Sequence, residues 1–98
     1  MKAQYYINSE TLLDLCTEND YCDCMDNRDY IKILDNVPFS SFKAIKIHIL
    51  WTAEQILTYS SKFHNVSLKD ISEVRAKIFE EIFNNCLRVK VSIWFIRK

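Results

Sequence analysis

Hydrophobic and polar positions along this chain follow two rhythms, one of about three and a half residues and one of two, and the changes between them mark its elements. Gln4-Tyr5-Tyr6-Ile7 is short, aromatic and β-prone, which predicts a brief strand over residues 4–7. Asn8 or Ser9 then caps a helix over residues 10–18, with Leu12, Leu15 and Cys16 on one face at i, i+3 and i+4. Asn19-Asp20-Tyr21-Cys22-Asp23-Cys24 has little periodicity and several turn formers, so it reads as a loop. Asp26 with Asp29 three residues on has the form of a capping box, and Tyr30, Ile31 and Leu34 follow at helical spacing, predicting two turns of helix to residue 35. Pro38 disfavours helix at Val37, and Ser40 with Ser41 marks a new start.

From Phe42 the apolar positions Ile45, Ile49, Ala53, Ile56, Tyr59 or Ser60, and Phe63 keep steps of three and four for about six turns. Ile45-Lys46-Ile47-His48-Ile49 also alternates with period two, so residues 45–50 are open to either helix or strand. Continuity through Thr52-Ala53-Glu54-Gln55 favours one long helix. After a break at His64-Asn65-Val66, Ser67 and Asp70 form the clearest capping box of the chain. The helix it opens has an apolar stripe of Ile71, Val74, Ile78, Phe79, Ile82, Phe83 and Cys86 opposite Lys69, Glu73, Lys77, Glu80 and Glu81. Leu87, Val89, Val91, Ile93 and Phe95 then alternate with Arg88, Lys90, Ser92 and Trp94, the periodicity of a strand.

The expected fold is mostly α, of the α+β class. Three or four helices and short strands at the N- and C-terminal ends make up a single domain over residues 1–98. The two strands have each other as natural partners, with helices on one face. A lone two-stranded ribbon is marginal in water, so it needs that cover or a partner's strand, and a homodimer through the C-terminal strand is one expectation.

Composition changes this picture mainly by exclusion. There is no glycine at all, which removes the dinucleotide fingerprint, the P-loop, the kinase glycine-rich loop and the nucleophile elbow. Gly, Ala, Pro and Arg together supply 9 residues against 12 Ile, 9 Lys and 7 Asn, the bias of an AT-rich coding sequence. Turns must then be made by Asn19-Asp20, Asn36 and His64-Asn65. No apolar run approaches the roughly 18 residues of a membrane span, and Met1 to Ile7 reaches polar Asn8-Ser9-Glu10 before a signal-peptide core forms. Cytoplasmic residence without membrane contact is the expectation.

Charge adds a direction. The formal net charge is +0, but residues 10–35 carry a net −6 and residues 36–98 a net +5. Asp14, Glu18, Asp20, Asp23, Asp26 and Asp29 are the candidate partner-binding residues, an acidic surface for a basic partner. The three-residue spacing of the last four does not suit calcium, because an EF-hand loop alternates its ligands and needs glycine at the sixth position.

Cys16, Cys22, Cys24 and Cys86 are expected as reduced thiols. Cys16, Cys22 and Cys24, completed by Cys86 or by His48 or His64, would supply four zinc ligands on paper, but a single CxC lacks the paired spacing of zinc sites, and no metal or cofactor is expected. Neither histidine has a carboxylate at fixed spacing to orient it, so no catalytic residues are assigned and the protein is not expected to be an enzyme. Val66-Ser67-Leu68-Lys69-Asp70-Ile71-Ser72-Glu73 is similar to the first helix of helix-turn-helix repressors. The similarity stops there, since Val74 to Phe79 continues the helix where that family turns.

The functional expectation is a small non-catalytic interaction or inhibitor protein that presents the acidic segment to a host protein with a basic surface, such as one that handles nucleic acid. Small proteins of this composition are common in phages and other mobile elements. The alternative is a nucleic-acid-binding protein using Lys43, Lys46, Lys62, Lys69, Arg75, Lys77, Arg88, Lys90, Arg97 and Lys98 interleaved with Trp51, Phe63 and Trp94.

Overall fold

A computed structural model describes residues 2–21 and 25–92. The element order is β1 (Lys2–Ile7), α1 (Ser9–Glu18), α2 (Met25–Leu34), α3 (Phe42–Tyr59), α4 (Leu68–Asn85) and β2 (Leu87–Ser92), with a 3-10 turn at Ser61–Phe63 between α3 and α4. This is the mostly α, α+β arrangement read from the sequence. The strands pair antiparallel in the register Ala3 with Val91, Tyr5 with Val89 and Ile7 with Leu87. The expected continuation of the second strand through Ile93 and Phe95 lies outside the described residues.

Each helix starts where the chain offers its backbone a substitute acceptor. Asn8 caps α1 by accepting from Thr11 N–H at 3.2 Å, and Ser41 caps α3 by accepting from Ala44 N–H at 3.0 Å. Ser67 caps α4, accepting from Asp70 N–H at 3.3 Å while its hydroxyl donates to the Asp70 carboxylate at 2.8 Å. For α2 the expected cap is corrected. The helix already includes Met25, so Asp26 stands in its first turn and not at its N-cap.

The long central helix also differs from its expected length. Residues 45–50 are helical, but α3 ends at Tyr59, and Ser60 is extended with ψ 125°. The 3-10 turn that follows brings Phe63 back into the core, so the apolar spacing survives although the α-helix does not.

Ile7, Leu12, Cys16, Ile31, Ile45, Ile49, Ile56, Ile78, Ile82 and Cys86 are wholly buried in one cluster to which β1 and all four helices contribute, with Leu87 of β2 packed against it. α3 packs along α4, and α1 packs against α2. Asp35 ties the ends of several elements together. Its carboxylate accepts from Ser9 N–H at 3.3 Å and lies 3.5 Å from the Arg88 guanidinium, which donates to the Asp35 carbonyl at 2.9 Å. Among the described residues no helix is long and apolar enough to cross a membrane.

Candidate interaction site

Glu10, Asp14 and Glu18 follow one another at steps of four on α1, all exposed, so they form a single row of like charge along the helix. Asp20 and Asp29 are exposed as well, and none of these five carboxylates makes an ion pair among the described residues. Asp26 belongs to α2 by its backbone, and Asp23 lies outside the described residues.

The turn at Asp20 shows how the chain manages without glycine. Tyr21 N–H donates to Cys16 O at 2.7 Å and Asp20 N–H to Thr17 O at 3.3 Å, the paired bonds of a Schellman motif, with Asp20 in the left-handed place usually held by glycine. Its φ is 58°, and it is the one residue with positive φ among those described. The chain also turns at Asn36 and His64-Asn65, as expected, but there it does without left-handed geometry. His64, for example, is right-handed with φ −60°.

Three features of this region work against the stability of α1. Like charges four residues apart repel, Glu18 and Asp20 sit at the negative end of the helix dipole, and an L-residue occupies the left-handed site. One cation offsets the dipole. Lys62 donates to the Asn19 carbonyl at 2.9 Å while lying over the rings of Tyr21 and Phe63. Tyr21 is buried beside it, and burial, Glu81 and Cys16 all push its hydroxyl pKa up.

A second surface was not legible in the sequence. Tyr30 of α2, Phe39 of the connecting segment, and His48 and Trp51 of α3 form a chain of ring contacts. Their centroids are 4.8 Å apart for Phe39–His48, 5.4 Å for His48–Trp51 and 5.4 Å for Tyr30–Trp51. The Tyr30 hydroxyl and His48 Nε2 share a hydrogen bond of 3.1 Å. Burial lowers the pKa of His48 and raises that of Tyr30, the latter opposed by a hydrogen bond from Thr52, so a neutral imidazole meets a protonated phenol. Phe39, Ala44, Ile47, His48 and Trp51 line an open depression of about 380 Å³ beside the cluster, and Leu50 extends the exposed apolar face. The spacing of His48 and Trp51 on one helix was the only signal available. Tyr30 and Phe39 reach them through tertiary packing.

Lys43, Lys46, Lys62, Lys69, Lys77 and Lys90 of the alternative reading are exposed, but three of its other members are engaged elsewhere. Arg75 is paired with Glu54 at 2.8 Å, Arg88 with Asp35, and Phe63 is buried. Trp94, Arg97 and Lys98 lie outside the described residues. The Cys16 and Cys86 side chains are buried, and burial pushes the Cys86 thiol up to about 11. Cys22 and Cys24 are outside the described residues, among which no three His, Cys, Asp or Glu side chains gather as metal ligands.

Comparison of the chain with protein-family models, curated proteins and solved structures found no match. The functional reading therefore rests on the residues themselves.

Proposed function

We infer that this chain is a small non-catalytic interaction or inhibitor protein whose acidic side, running from the exposed row of α1 through the Asp20 turn to α2, captures a basic partner surface. One observation carries the reading. Among the described residues Asp14, Glu18 and Asp20 make no ion pair, and all three are exposed and stand along α1 or at its negative end, where they weaken it. Side chains that oppose local stability mark sites kept for another purpose. A cationic surface supplies the missing counter-charges, and a protein that handles nucleic acid has such a surface. Docked there, the acidic side competes with phosphates for the same lysines and arginines, which is how a non-catalytic chain of this size inhibits.

The nucleic-acid-binding alternative draws less support, because Arg75 and Arg88 are already committed to carboxylates and Glu73, Glu80 and Glu81 are interspersed among the lysines of α4.

Affinity capture from the native host with the wild-type chain and with Asp14, Glu18, Asp20 and Asp29 all replaced by lysine tests the reading. The expected result is a partner recovered by the wild type, released by salt and lost in the variant, with helicity by circular dichroism unchanged. Equal recovery by both chains removes the acidic side from the proposal. A low-salt gel shift of DNA or RNA by the chain alone, without any partner, establishes the alternative in its place.

A further inference from the structure

The two edges of the terminal ribbon are not alike. On β1 the edge is closed at Tyr5, whose N–H donates to Phe39 O and whose carbonyl accepts from Phe39 N–H, both at 2.9 Å. That bridge fixes the hydrogen-bonding phase of the whole ribbon. Tyr5 turns its polar backbone away from β2, so Tyr5 and Val89 are a non-hydrogen-bonded pair, and alternation makes Ala3–Val91 and Ile7–Leu87 pairs of the same kind. The bond from Asn8 N–H to Cys86 O at 2.6 Å has the parity this requires. The N–H and C=O groups of Leu87, Val89 and Val91 therefore point outward along β2, and no described residue meets them.

The same three residues share one apolar face with Ala3, Tyr5 and Ile7, which the helices cover unevenly. Ile7 is buried and Leu87 half-buried, but Val89 and Val91 are 51% and 49% exposed. An open edge and an uncovered apolar face thus coincide at the same end of the ribbon.

We propose that β2 pairs antiparallel with β2 of a second copy about a two-fold axis through Val89, making a four-stranded sheet in the order β1-β2-β2-β1. The occupant is a second copy because the edge is self-complementary under that axis. Val89 meets Val89, and Leu87 meets Val91 twice, so every outward-facing backbone group finds a partner and the exposed valines pack on one another. Charge selects the register. On the opposite face Arg88 comes to lie across from Lys90, and like charges there are costly unless one is already neutralised. Arg88 already has a counter-ion. It sits 3.5 Å from the Asp35 carboxylate and stacks on the Tyr6 ring, so the incoming Lys90 meets a paired guanidinium with a carboxylate beside it. Moving the axis to Lys90 or Arg88 would set each of these residues against its own copy. The row of carboxylates on α1 takes no part, so this dimer and the acidic reading stand or fall separately.

The phase of the ribbon also supplies the test. Val89→Pro deletes an outward N–H and leaves every bond between β1 and β2 in place, whereas Lys90→Pro deletes an inward one. Light scattering across a concentration series is expected to show the wild-type mass rising from 11.7 kDa towards twice that value, with Val89→Pro held at 11.7 kDa and its circular dichroism unchanged. Lys90→Pro is expected to lose structure. Should Val89→Pro unfold, Val89→Cys with Cys22 and Cys24 replaced by serine decides. Two-fold pairing brings the two Cα atoms within reach of a disulfide, so mild oxidation gives a covalent dimer. A wild type of monomer mass throughout overturns the proposal, as does a Val89→Cys chain that does not cross-link. Dimerisation that survives Val89→Pro but is lost in Trp51→Ser overturns it too and moves the interface to α3.

Discussion

α3 and α4 are both 18 residues long and pack along one another, yet they divide their residues between core and solvent in opposite ways. Past the exposed Leu68 of its first turn, α4 separates polar from apolar residues, with Ile78 and Ile82 buried and Lys69, Glu73, Lys77 and Glu80 exposed. α3 is apolar on both sides. Ile45, Ile49 and Ala53 fill the core while Ile47, Leu50 and Trp51 face outward. A helix whose apolar residues exceed what its own core takes up carries surface that folding alone does not explain, and here that surplus lies beside the Tyr30–His48 pair.

The largest effect that separates the two sides of α3 is a truncation. Ile49→Ala should cost about 3 kcal/mol in chemical denaturation, since Ile49 is wholly buried, whereas Ile47→Ala, two residues away and 60% exposed, should change stability by about 0.5 kcal/mol or less. Comparable losses at both positions would mean that α3 has no free face.

A middle-sized effect concerns helix ends, where α4 is well capped and α1 is compromised. Ser67→Ala should lower stability by about 1 kcal/mol, because the Asp70 N–H loses its acceptor. Asp20→Gly should move it the other way by about 1 kcal/mol, relieving both the left-handed backbone and the charge at the negative end of the dipole. A drop in melting temperature for Asp20→Gly would remove the claim that the acidic row is held at the expense of α1.

The smallest effect is the titration of His48. Its folded pKa lies below the ordinary 6.5, so the folded state binds that proton less readily than the unfolded chain does. Its contribution is complete above pH 6.5 and is lost as pH falls through the lowered folded value. The melting-temperature difference between wild type and His48→Gln should therefore narrow on acidification. A constant difference would show that the aromatic cluster does not desolvate the imidazole.

Legibility in the sequence followed the same division. Where polar and apolar residues separate, as on α4 and along β2, spacing and the Ser67 cap were sufficient. On α3 period two and period 3.6 overlap between Ile45 and Ile49, and only the wider context decided for helix. Its end was overestimated because Phe63 keeps the helical spacing while Ser60 breaks the backbone. The acidic row could be seen as composition, but that no described residue forms an ion pair with it could not. The aromatic cluster draws on three separate segments, and its assembly depends on how α2, Phe39 and α3 pack, which no local pattern encodes.

The pairing of β1 with β2 sets the order in which this protein can be made. β1 is made before the helices and its partner after them, so Tyr5 and Ile7 must wait for Val89 and Leu87 until all four helices have been synthesised. Contacts of such sequence separation form late and slowly, whereas α3 and α4 are neighbours in the chain and can dock early. Until Leu87 to Ser92 arrive, β1 has only the bridge of Tyr5 to Phe39 to hold it, and the ribbon closes late.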